Sequence, residues 1–285
     1  MNDSLIELKG VTKKFGKNIV LDSIDLKISE DKITGIIGAS GEGKSTILKM
    51  IASFYKPTSG KIFYLGRDVL KDTQNIKKTF GIAIEDGSFY EELTVKENLL
   101  HFGKLYKIKN KTLIPRISGL MKFVGLFDAR DIIAKNLSLG MKKRLDIACA
   151  LVHKPKVLIL DEPTADLDPL LRFHMIKLIK KINSHKTTII FTTQLLKEAE
   201  EICDIISLLY NEKIIAQDTP AKIKSKYNAK SLDDVFRKIF SKQGRKTYQE
   251  SKEEKTLLKN GDEIDENRVT KEELEEVFGS KKVKK

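Results

Sequence analysis

Apolar residues recur along this chain with two different periods. Residues 6–11 and 19–28 read as short strands, the second alternating through Val20-Leu21-Asp22-Ser23-Ile24-Asp25-Leu26. A period of two marks a half-buried strand. After a charged turn at 29–32, the run Ile33-Thr34-Gly35-Ile36-Ile37 is apolar and β-branched, the pattern of a fully buried strand. Residues 157–160 and 187–191 repeat that type, and 61–65 and 80–84 add further strands after a turn at 57–60. A helix is predicted to begin at Lys44-Ser45 and run to Phe54. Residues 93–151 read mostly as helices, broken near Pro115, Gly125 and 136–140. Apolar residues three and four apart predict an amphipathic helix over 170–182. Residues 198–203 read as a helix, and 205–210 with 213–216 as a hairpin around Asn211-Glu212. Strands alternating with helices predict an α/β fold with a mainly parallel sheet and helices on both faces.

Composition narrows this picture only slightly. The 285 residues suffice for one large domain with an appendage, and the apolar fraction of 40% is that of a globular protein. A net charge of +13 points toward nucleic acid or an anionic membrane surface, or else to a lysine-rich proteome or a chain that sits beside a membrane without binding lipid directly. Nucleic acid is not expected as a partner. The longest apolar runs, at 147–152 and 157–160, fall far short of the roughly 20 residues that span a bilayer. The opening MNDSLIELKG lacks the pattern of a secretory signal. Cys149 and Cys203 lie in apolar patterns and read as reduced core residues. His101, His153, His174 and His185 show no metal-ligand spacing. Residues 241–285 hold 12 Lys/Arg against 11 Asp/Glu, so the excess positive charge resides in 1–240. The expected organisation is a domain over 1–240 and a charged, flexible tail over 241–285 that contains a short helix.

The strongest chemical signal is Gly38-Ala39-Ser40-Gly41-Glu42-Gly43-Lys44-Ser45, followed by Thr46. It matches GxxxxGKS between a buried strand and a helix, the context a phosphate-binding loop requires. The glycines let backbone N–H groups cradle phosphate oxygens, and the helix N-terminus adds partial positive charge. Lys44 can reach the β- and γ-phosphates of ATP, and the Ser45 hydroxyl can ligate Mg2+. A second signal is Asp161-Glu162 at the carboxyl end of strand 157–160. Ligands of open α/β sheets bind at that end. Asp161 is expected to hold Mg2+, and Glu162 to deprotonate the attacking water.

With these two motifs on the chain, it resembles the ATP-binding subunits of ABC transporters over roughly residues 5–240. The further motifs are the stretch 137–145, which opens Leu137-Ser138-Leu139-Gly140-Met141, then Ala165-Asp166-Leu167-Asp168 before Pro169, and 198–204. Residues 93–99 look like the start of the family's helical subdomain, which the resemblance puts at about 88–150. It also implies a small antiparallel β subdomain. Phe15 stands where the family has an aromatic that stacks on adenine. By this resemblance two cassettes, identical or homologous, pair head to tail. Lys44, Ser45 and Asp161 of one then face Ser138 and Gly140 of the other, with Asp168 beside them. Closure on ATP drives a separate transmembrane permease. Leu139, where glycine is commoner, looks most like the exporters of the drug, bacteriocin or ABC-2 kind. The implied location is cytoplasmic, at the inner face of the cell membrane.

Two positions depart from the family pattern. Glu85 stands in place of a glutamine that usually touches Mg2+ and water; a carboxylate can still ligate a hard cation. Gln194 stands in place of the switch histidine; its amide can donate to phosphate but is never cationic. These departures leave open a regulatory or weakly hydrolysing cassette. A third alternative is a soluble ABC ATPase outside transport.

Overall fold

The computed structural model of the protein describes residues 4–85 and 87–239. The chain divides into two compact units, 1–235 and 236–285, and every element named below belongs to the first. Strands β1 (Ser4–Phe15) and β2 (Asn18–Ser29) pair antiparallel. Their alternation buries Ile6, Leu8 and Val11 on one and Leu21, Ile24, Leu26 and Ile28 on the other. β3 (Ile33–Ile37) is buried at every position and feeds α1 (Lys44–Ile51). β4 (Ser59–Tyr64) and β5 (Arg67–Asp68) complete an antiparallel sheet of order β2-β1-β4-β5. Next come α2 (Thr73–Thr79) and β6 (Phe80–Ala83). Three helices follow, α3 (Val95–Leu105), α4 (Asn110–Val124) and α5 (Leu139–Leu151), with a 3-10 turn at Ala134–Asn136. The remainder alternates: β7 (Val157–Leu160), α6 (Pro169–Asn183), β8 (Thr188–Thr193), α7 (Leu196–Ile202), β9 (Ile205–Tyr210), β10 (Lys213–Asp218) and α8 (Pro220–Lys226).

The second sheet has the order β10-β9-β3-β8-β7-β6 and is parallel except for β10. Its register positions the site. Ile37 pairs with Thr193, Leu160 with Phe191, and Ala83 with Leu160. The chain segments leaving β3, β6, β7 and β8 therefore emerge at one edge. Segments far apart along the chain become neighbours there. Gly81 makes this possible on the β6 side, because a Cβ at that position would collide with the Ala150 carbonyl of α5.

The structure corrects several sequence expectations. Pro115 does not break a helix; α4 runs through it. The lost bond is the one to the Lys111 carbonyl, on a face where Lys111 and Pro115 are exposed. Leu113, Ile117, Met121 and Val124 bury the opposite face and outweigh that loss. The interruption falls instead after Tyr106, where Lys107 adopts φ 56°. α1 stops at Ile51, three residues before Phe54, and Ser53 turns through φ 62°. Cys203 caps α7 and is not within it. Both cysteines are buried and free. The short helices α2 and α8 carry only one buried residue each, Ile76 and Ile223, too little for a periodic signal. The hairpin turn at Asn211-Glu212 was legible: both residues take positive φ, as a two-residue turn of this twist requires. The tail and its short helix lie outside the described residues.

One buried group sets a pH dependence. The His153 ring stacks on Tyr106 at 3.7 Å, and its Nε2 lies 3.2 Å from the Phe80 carbonyl, which can only accept. Its Nδ1 is buried without a partner. Burial, reinforced by the nearby Arg116, pushes the imidazole down to about 4. The unfolded chain therefore takes up a proton below about 6.5 that the fold refuses. Stability is lost as pH falls from there to about 4. Asp146, pushed up to about 6 by burial, acts with the opposite sign and offsets part of the loss below that pH. In urea titrations, His153→Gln should reduce the fall in stability between pH 7 and pH 5. An unchanged fall would remove His153 as its source.

Candidate nucleotide site

The loop between β3 and α1 turns at Gly41 and Gly43, which have φ of 82° and 96°. Side chains avoid that region. A Cβ on Gly43 would also meet Val20 Cγ1 at 2.9 Å. No side chain caps α1, so its first N–H groups are available to an anion. A cavity of about 790 Å³ opens here, walled by Ser40, Gly41 and Glu42 on one side, 17–20 on another, and Asn211 and Glu212. That volume suits a nucleotide-sized ligand. Ala39 and Gly38 turn their carbonyls to Lys44, and Thr46 is half-buried on α1. Phe15 is 45% exposed; its ring packs edge-on against Tyr55 at 5.5 Å and lies under Lys13 Nζ at 4.6 Å.

The buried Lys44 binds three oxygens. Its Nζ donates to the carbonyls of Gly38 at 3.1 Å and Ala39 at 3.0 Å, and lies 3.2 Å from Glu162 Oε1. Ser45 Oγ donates to Asp161 Oδ1 at 3.0 Å. Thr192 Oγ1 donates to the same oxygen at 2.7 Å and accepts the Glu162 N–H at 3.0 Å. Glu162 sits at φ 47°, a strained backbone for a residue with a long side chain. These contacts aim two buried carboxylates at the mouth of the glycine loop. The Ser45 hydroxyl and the Asp161 carboxylate are the hard oxygen donors that Mg2+ accepts alongside phosphate and water. No cluster of three or more His, Cys, Asp or Glu suited to a metal exists among the described residues. Ser45 and Asp161 would share Mg2+ with nucleotide phosphates.

The other candidates divide into two groups. Glu85 follows β6 at the same sheet edge, exposed, and its carbonyl accepts Lys143 Nζ of α5 at 2.7 Å. Ser88 N–H, in the same loop, donates to Asp146 of α5 at 2.8 Å. Gln194 is exposed one residue past β8, whose Thr193 pairs with Ile37, the residue before Gly38. Ser138 and Asp168 instead start helices. Ser138 Oγ accepts the Met141 N–H at 3.4 Å to cap α5, and Asp168 Oδ1 accepts from Leu170 and Leu171 to cap α6. Gly140 is buried, and a Cβ there would press on Leu171 at 3.2 Å. Sequence reasoning missed the threonines. Thr192 ties Asp161 to Glu162, while Thr164 and Thr193 both donate to the buried Glu198. The pair Thr192-Thr193 at the end of a buried strand was the available signal.

Comparison with known proteins agrees with this geometry. The model of the family described as ABC transporter matches residues 21–165. The chain is 35% identical over 223 residues to the probable multidrug ABC transporter ATP-binding protein YbhF of Escherichia coli K12. That match covers 78% of this chain but only 38% of the relative. It is 31% identical over 228 residues to the linearmycin resistance ATP-binding protein LnrL of Bacillus subtilis 168, covering 80% and 73%. Among solved structures, cbiO1 of Clostridium perfringens, part of the ABC transporter complex cbiONQ, superposes with a TM-score of 0.73. It is 25% identical, with 88% of this chain and all of that one covered. Fold, loop geometry and these likenesses agree: the chain belongs to the ABC transporter family, as a P-loop ATPase.

Proposed function

We propose that this chain hydrolyses Mg-ATP to power export through a separate membrane permease, with two cassettes closing on the nucleotide. The carrying observation is the buried Lys44–Glu162 pair beside the Ser45–Asp161 pair at one sheet edge. When nucleotide binds, the N–H groups of the glycine loop and Lys44 hold its β- and γ-phosphates. Lys44 then turns from Glu162 toward phosphate, and Glu162 is released to accept a proton from water. Ser45 and Asp161 would hold Mg2+, which would supply charge neutralisation at the phosphates. Ser138 is exposed at the start of α5, free to meet the nucleotide of a second cassette. Phe15, also exposed, offers a stacking face for adenine. Export is favoured by the relatives' names, multidrug and linearmycin resistance. The cassette is taken as 1–240, working at the cytoplasmic membrane face. Among the described residues no helix is long and apolar enough to cross a membrane.

Purification of the tagged chain from solubilised membranes tests this directly. The expected product is a complex of two cassettes with a polytopic membrane protein that hydrolyses ATP. Recovery with ribosomes or nucleic acid alone would contradict it. A second reading, an ATP-holding cassette, draws on Glu85 and Gln194. The two predict different responses to Gln194→His. Since Gln194 already supplies a donor, we expect steady-state ATPase to rise by no more than about tenfold. Absent hydrolysis in the wild type, restored by Glu85→Gln with Gln194→His, would favour the holding cassette.

A further inference from the structure

The buried carboxylate of Glu198 touches neither the glycine loop nor Asp161, yet it joins the two turns that flank them. Glu198 is 4% exposed on α7. Its Oε2 accepts the Thr164 hydroxyl at 2.8 Å and the Thr193 hydroxyl at 2.9 Å. Thr164 lies two residues past Glu162, and Thr193 immediately precedes Gln194. Thr193 Oγ1 in turn accepts the Leu195 N–H at 3.0 Å. Gln194 is thus held on both sides by one hydroxyl, and that hydroxyl is fixed by the same oxygen that fixes the turn after Glu162.

The energetics argue against a role in stability alone. Burial raises the carboxyl's pKa; the two threonine bonds and the Arg172 charge only partly oppose this, and the Glu162 charge adds to it. Its second oxygen, Oε1, is buried with no partner. A buried carboxylate with one oxygen unsatisfied is an expensive way to fasten a seven-residue helix; an apolar side chain would do so at lower cost. What the carboxylate alone supplies is a single acceptor shared by two turns.

We propose that Glu198 is a positioning residue for hydrolysis, fixing the spacing between Glu162 and Gln194 through Thr164 and Thr193. This rests on the reading of Glu162 and Gln194 as the groups that act at the γ-phosphate. The clamp lies outside the glycine loop, so its loss leaves nucleotide affinity intact and impairs turnover. Misplacing reacting groups by about an ångström can cost on the order of a hundredfold.

The test uses the full chain in the complex recovered from membranes, with MgATP, comparing Thr193→Val, Thr164→Val, the double variant and Glu198→Gln. The valines keep shape and remove only the hydroxyl, so they serve if Glu198→Gln fails to fold. The expected result is a kcat lowered about ten- to hundredfold in each single variant, with KM within about twofold. The double variant should fall by less than the product of the two single effects, since both act through one oxygen. Amide exchange at Leu195 should quicken in Thr193→Val. Variants that lose thermal stability but keep wild-type kcat, or whose effects multiply in full, would overturn the clamp. A wild type that binds MgATP without hydrolysing it would overturn the functional reading as well, and the two failures are distinct.

Discussion

Glu162→Gln should lower kcat by about 10²- to 10⁴-fold and leave ATP bound as tightly as in the wild type, or more tightly. A positioned general base contributes on that order, and an amide cannot take the proton from water. Binding survives because Lys44, which Glu162 Oε1 meets at 3.2 Å without nucleotide, turns to phosphate in the bound state and needs no carboxylate there. The substitution also removes a buried negative charge from the neighbourhood of the γ-phosphate. Single-turnover hydrolysis and calorimetric ATP binding, measured on the same preparation, separate the two effects. Equal turnover in variant and wild type would remove Glu162 from the chemistry.

The second large effect is on affinity. Lys44→Ala should weaken MgATP binding by about 2–5 kcal/mol, which is roughly thirtyfold or more in Kd. The side chain is 6% exposed and holds two loop carbonyls as well as Glu162, so its removal loosens the loop that must cradle phosphate. It also strands the 7%-exposed Glu162 without its cation, which lowers the stability of the nucleotide-free fold. Binding should therefore be read at a temperature where melting curves show the variant folded. Calorimetry giving equal affinities would contradict the assignment of the loop.

The parts of this fold that the sequence made legible are those with unmixed periodicity. Ile33–Ile37 and Val157–Leu160 are apolar at nearly every position, and their ends match the strands observed. Lys44 begins a helix because glycine at positive φ precedes it, a constraint visible in GlyLysSer itself. Long-range compensation was invisible. Pro115 reads as a breaker because the rule is local, while the burial that carries α4 past it comes from other helices. At the site, the motif residues were legible and their fasteners were not. Thr164, Thr193 and Glu198 lie up to 34 residues apart and meet only once the parallel register has brought β7 beside β8. Asp168 shows the converse: its capping of α6 follows from the Asp-Pro start of a helix, a local signal that the family resemblance overshadowed.

A composite site that closes on ATP and is opened by Glu162-dependent hydrolysis is tested most directly by imaging. The measurement is a structure of the ATP-loaded Glu162→Gln protein in complex with the proposed membrane permease. Two cassettes should be in contact, each γ-phosphate lying between Lys44 of one and Ser138 of the other. ATP bound at Lys44 with the two cassettes apart, and Ser138 facing solvent, would contradict the composite site.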